Sequence, residues 1–171
     1  QAAPELRAIL AEEGALPAKH CAAVGMLIDE IGRGTLFDAQ ERYVALFDLG
    51  RGCSLHLFEH VYGDSRERGQ AMVTLADRYR AAGLAVSANE LPDYLPLVLE
   101  YISVAPPAVA KGLLAEIAHV IEALGERLAK RSSPYAAVMA ALGALAGKRL
   151  HSTADLVTID DDDSPEALDR A

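Results

Sequence analysis

Two cysteines, Cys21 and Cys53, are too few to staple a chain of 171 residues, and they read as reduced thiols of a cytoplasmic protein. No apolar run approaches the roughly 20 residues that a membrane-crossing helix needs, because charges, Gly or Pro interrupt every candidate. The expectation is a soluble chain with no direct membrane insertion. The opening residues lack a basic region followed by an apolar stretch, so they carry no visible secretory signal. A basic surplus is missing too. A net charge of −9 argues against nucleic acid as a main partner, because phosphate binding needs a basic surface. Nor does any segment alternate apolar and polar residues as a half-buried strand would.

What the chain does have is apolar content, 51% of its residues, enough to fill one domain core. Those residues recur at three and four along nearly its whole length. Leu6, Ile9 and Leu10 begin the pattern; Val24, Leu27, Ile28 and Ile31 continue it; Leu36, Phe37, Tyr43, Val44 and Phe47 follow. A fourth segment runs from Ser54 to about Tyr62 and ends at Gly63. Asp64 or Ser65 then caps a helix carrying Met72, Leu75, Ala76 and Tyr79, closed by Gly83. Beyond "APP" at 105–107, a long helix bears Leu113, Leu114, Ile117, Ile121, Leu124 and Leu128 on one face. Ser133 and Pro134 supply the cap and first position of a last helix. This predicts an all-α fold, a single compact bundle of about seven or eight helices over residues 1–151. Residues 152–171 hold seven acids and one Arg, a net of −6 out of −9, and read as an acidic, disordered tail.

The stretch "NELPDYLPLVLEYIS", residues 89–103, sets two prolines four apart at the head of an apolar run. Pro92 suits a first helical turn, with Asn89 or Glu90 as cap. Pro96 would then fall inside the helix, at a cost of about 3 kcal/mol. The helix start is therefore expected to be bent or delayed, leaving backbone polar groups free.

Several short patterns point toward chemistry. "HLFEH", His56 to His60, has the H-x-x-E-H spacing in which two His one turn apart bind zinc and the Glu activates water. His56, Glu59 and His60 would make the chain a metal-dependent hydrolase, but a third ligand must come from undistinguished candidates such as Glu100, Glu116, Glu122 or Glu126. "EIAH" at 116–119 is half of a di-iron pair, and only one copy exists. "GALAGKR" at 143–149 is one residue short of a phosphate loop, with Arg149 where Ser or Thr belongs. Cys53 and His56 form no convincing nucleophile and base pair. Two further segments, "YVALFDLGRG" at 43–52 and the 89–103 stretch, combine aromatics, acids and exposed backbone, which suits binding better than catalysis.

At those two segments the chain resembles the cytoplasmic chaperones of molybdoenzymes, of TorD, DmsD and NarJ type. The shared marks are a Y-x-x-L-F helix end, Tyr43-Val44-Ala45-Leu46-Phe47, and an E-x-P-D-H-type loop, Glu90-Leu91-Pro92-Asp93-Tyr94. Tyr94 stands where many members have His. The resemblance is nearest to the NarJ branch over residues 40–103, whose members usually carry a further N-terminal helix and a longer tail, so the chain reads as truncated. It implies a TorD-like fold, no enzymatic activity, and a role in nitrate assimilation as an unfolded-protein-binding chaperone. The implied partner is the N-terminal segment of the catalytic (alpha) subunit of respiratory nitrate reductase, held competent for insertion of the molybdenum guanine dinucleotide cofactor. No cofactor would be bound stably by the chain itself, which is expected as a monomer or weak homodimer. Tyr43, Leu46, Phe47, Leu91, Pro92 and Tyr94 would then line a groove for an amphipathic helix, with Asp48, Glu90 and Asp93 at its rim.

Overall fold

The computed structural model describes residues 3–86 and 89–147, and among them every regular element is a helix. The order is α1 (Ala3–Glu12), α2 (Ala18–Arg33), α3 (Leu36–Phe47), α4 (Leu57–Tyr62), α5 (Glu67–Ala81), α6 (Leu95–Val104), α7 (Pro107–Lys130) and α8 (Ala136–Ala146). The expected all-α bundle is what forms. The expected tail at 152–171 and the domain limit at 151 lie outside the described residues.

Helix α7 is the axis of the core. Its stripe of Leu113, Leu114, Ile117, Val120, Ile121, Leu124 and Leu128 is buried along about four turns, as a recurrence of three and four dictates. Pro106 and Pro107 start it without loss, because a first-turn N–H has no helical acceptor. Helices α8, α6 and α4 pack on it, and α2 packs on α8. Helix α1 buries no residue of its own; it is pinned on α2 by Arg7, which reaches Asp29 at 2.5 Å and the Gly25 carbonyl at 2.9 Å.

The helix ends show which local signals won. Thr35 closes a capping box with Asp38, whose carboxyl is held below the usual carboxylate range by the Thr35 side chain and backbone N–H. Thr35→Ala should cost about 1 kcal/mol, read as a lower urea midpoint at unchanged m-value. An equal midpoint would mean that α3 does not depend on its cap. Gly63, at φ +51°, stops α4 in a conformation that side chains rarely adopt. Ser65 accepts from the Glu67 N–H at 3.2 Å, whereas Asp64 is drawn away to Arg51 at 3.7 Å.

Three boundaries differ from the sequence expectation. Helix α4 starts at Leu57, not Ser54, because His56 is extended and forms an isolated antiparallel bridge with Tyr94. Helix α8 starts at Ala136, and Ser133 receives the Tyr135 N–H at 3.4 Å. The prolines exchange roles: α6 begins at Leu95, so Pro96 occupies the tolerated first turn and Pro92 stays in the turn before it. The delay is real, but no interior hydrogen bond is broken. Neither Asn89 nor Glu90 caps α6, whose N-cap position is Tyr94 with no side-chain bond.

Candidate functional site

The 43–52 and 89–94 segments meet through tyrosines 51 positions apart in the chain. The Tyr43 and Tyr94 hydroxyls lie 2.9 Å apart. Helix α3 supplies Tyr43, Leu46 and Phe47 on one face because they are three and four residues apart. Tyr43 packs on Phe47 at a centroid distance of 4.8 Å, and Tyr135 meets Phe47 edge-on at 5.1 Å and Tyr43 at 6.3 Å. On the other flank the His56 ring lies 5.4 Å from that of Tyr94. Burial, then the contact with Tyr94, pushes the Tyr43 phenol well above the ordinary range, so it stays a neutral donor or acceptor at any cellular pH.

Exposure divides the residues expected to bind. Asp48, Glu90 and Leu91 are exposed; Tyr43, Leu46, Pro92 and Tyr94 are half-buried; Phe47 is core. Leu46 faces a groove of about 440 Å³ between α2, α3 and the α7–α8 turn, bridged by Glu30 and Arg42 at 3.7 Å. Asp93 does not rim this face as expected. It is 0% exposed, and its Oδ2 accepts the Phe58 N–H at 2.9 Å while Oδ1 sits 3.4 Å from His56 Nδ1. The backbone adds a two-way link: Leu57 N–H to the Asp93 carbonyl at 3.1 Å and Leu95 N–H to the Leu55 carbonyl at 2.8 Å. Asp93 therefore caps α4 from a distant loop, a role hidden from sequence because Phe58 lies 35 positions away.

The same geometry corrects the hydrolase alternative. His56 precedes α4 in extended conformation and turns toward Asp93, so it is not stacked one helical turn from His60. His60 is buried, and both its ring nitrogens are engaged. Nε2 donates to the Ser54 carbonyl at 2.8 Å, and Nδ1 accepts from Arg127 at 3.1 Å, since a guanidinium can only donate. Arg127 also donates to the Gly52 carbonyl at 2.9 Å. Burial first, then the Arg127 cation, holds His60 below its ordinary pKa and favours the neutral ring. Burial alone would raise Glu59, but the Ser54 hydroxyl and Arg68, 3.3 Å away, outweigh it and keep the carboxyl below its usual range. No group of three or more metal-ligating side chains is assembled among the described residues. Arg127 and Tyr135 are organising residues that sequence reasoning did not single out, and His60, singled out there as a zinc ligand, is instead a buried structural group.

Among the described residues, no helix is long and apolar enough to cross a membrane. A sequence profile of the nitrate reductase delta subunit family matches residues 13–141. The chain belongs to that family. It is 43% identical over 157 residues to the nitrate reductase molybdenum cofactor assembly chaperone NarJ of Escherichia coli K12, covering 90% of this chain and 66% of that protein. It is 47% identical over 137 residues to the "probable nitrate reductase molybdenum cofactor assembly chaperone NarW" of the same strain, covering 78% of this chain and 59% of NarW. The nitrate reductase-like protein NarX of Mycobacterium tuberculosis H37Rv is 35% identical over 119 residues, 70% of this chain but 18% of NarX. The chain thus spans just under two thirds of the delta-family NarJ it matches.

Proposed function

We propose that this delta-family chain is a non-enzymatic cytoplasmic chaperone for respiratory nitrate reductase. It binds the N-terminal segment of the catalytic subunit and keeps that subunit open to insertion of the molybdenum guanine dinucleotide cofactor, which is cargo of the client and not a resident group of the chaperone. The names borne by its relatives support the client class. The observation that carries the reading is the joining of the two family-like segments at the 2.9 Å Tyr43–Tyr94 contact, on a face with half-buried aromatics, a groove beside Leu46, and the exposed acids Asp48 and Glu90. Apolar anchors of a helical segment need such a face, and acids at its edge attract basic residues of the segment.

Calorimetric titration of a synthetic N-terminal peptide of the catalytic subunit tests it. Tyr94→Ala and Leu46→Ala should each weaken binding about tenfold, or about 1.4 kcal/mol, with the circular dichroism spectrum retained. Binding should also weaken with added salt if Asp48 and Glu90 contribute. Failure of the unaltered protein to bind would remove the client assignment; equal affinity in both variants would remove this face from the site.

A further inference from the structure

Apart from the groove at Leu46, a hollow of about 550 Å³ lies between α4, α5 and α7. This is the size of sites that bury ligand groups. Phe58 and Val61 of α4, Leu75 of α5, and Leu113, Ile117 and Val120 of α7 make it apolar. Its rim is charged. Arg78 of α5 pairs with Glu116 of α7 at 3.0 Å, both lining it, and Arg68, the residue after Glu67, pairs with Glu59 of α4 at 3.3 Å. Both arginines are thereby neutralised, whereas Glu67, also lining the cleft and exposed, has no ion-pair partner among the described residues. The uncompensated charge facing the hollow is negative.

The 89–94 loop holds two of the three walls. Asp93 fixes α4 through the Phe58 N–H, and the Pro92 carbonyl accepts the Tyr79 hydroxyl of α5 at 2.7 Å. The same loop presents Tyr94 to Tyr43 and His56, and His56 lies two positions before Phe58. One loop therefore sets both the aromatic face and the spacing of the cleft.

We propose that this cleft is the anchor pocket for the partner's helical segment: it takes the segment's apolar side chains, Glu67 receives a Lys or Arg at its edge, and Asp93 and Pro92 are positioning groups that space the walls. The inference rests on the peptide-binding reading above and assigns where the deepest contacts are made. Methyl NMR of the intact chain titrated with the synthetic N-terminal peptide of the catalytic subunit should shift Val61, Leu75, Leu113 and Ile117. Ala71→Phe, which places a ring in the cleft from the α5 side, should reduce affinity at least tenfold, and Glu67→Gln should reduce it several-fold and flatten its salt dependence. Tyr79→Phe, which frees the Pro92 carbonyl, should weaken binding with the aromatic face unaltered. Methyl shifts confined to Leu27, Ile31 and Leu46 would overturn the cleft assignment while leaving the chaperone reading intact, as would wild-type affinity in Ala71→Phe. No binding by the unaltered chain would overturn both.

Discussion

Asp93→Ala should destabilise the protein by about 3 kcal/mol, far more than an exposed acid at the edge of a groove would. The replacement removes the acceptor of the Phe58 N–H, the cap of a helix only six residues long. A buried donor left without its acceptor costs about 1–3 kcal/mol, and emptying a site that is 0% exposed puts the loss at the upper end of that range. Helix α4 has no spare turn to unwind, because Gly63 ends it at one side and the 54–56 bridge to the 93–95 segment fixes the other. Asp93→Asn keeps a carbonyl oxygen that can accept the same N–H, so it should cost about 1 kcal/mol, near the low end of cap replacements. Urea unfolding at neutral pH separates the two, with the m-value as a control for a common unfolded state. Equal losses in both variants would mean that the charge, not the cap, is what matters; a loss below about 0.5 kcal/mol in Asp93→Ala would remove the capping role.

Much of the fold was legible because it rests on one period. The stripe of α7 from Leu113 to Leu128, the stop at Gly63 and the Gly83 end of α5 are local signals with local outcomes. What misled were residues whose partners are remote. Two prolines four apart allow either one to open a helix, and only the bridge between 54–56 and 93–95 decides for Pro96. An acid in a Pro-containing loop reads as solvent-facing unless one knows that α4 arrives above it with an open N–H. The HLFEH spacing suggests two stacked imidazoles on a helix, but the chain turns extended at His56 and takes that ring out of register. The aromatic face was legible through resemblance, whereas the larger cleft left no sequence mark, since its walls use the same Leu, Ile and Val that fill the core.

Acid should destabilise the protein through His60, and the sign follows from its surroundings. In the folded chain burial and the Arg127 cation hold its pKa below the value of about 6.5 expected when unfolded. Between the folded pKa and that value the unfolded state binds more protons, so stability is fully present above about pH 6.5 and is lost as pH falls below it. The slope contributed by this one ring is about 1.4 kcal/mol per pH unit within that window. His60→Gln isolates it, because a Gln side chain can donate to the Ser54 carbonyl and accept from Arg127 without titrating. Urea midpoints at pH 8 and pH 5.5 should fall more in the unaltered protein than in His60→Gln; an equal fall would show that the ring does not carry the dependence. Arg127→Met should cost about 3 kcal/mol at pH 8, because it removes two hydrogen bonds at once, to the Gly52 carbonyl and to the buried His60 Nδ1. It should also lessen the acid sensitivity, since a cation no longer opposes the proton on His60. Because the Gly52–His56 segment leads directly into the helix that Asp93 caps, the buried Ser54 and His60 together with half-buried Arg127 tie one wall of the proposed anchor pocket to α7.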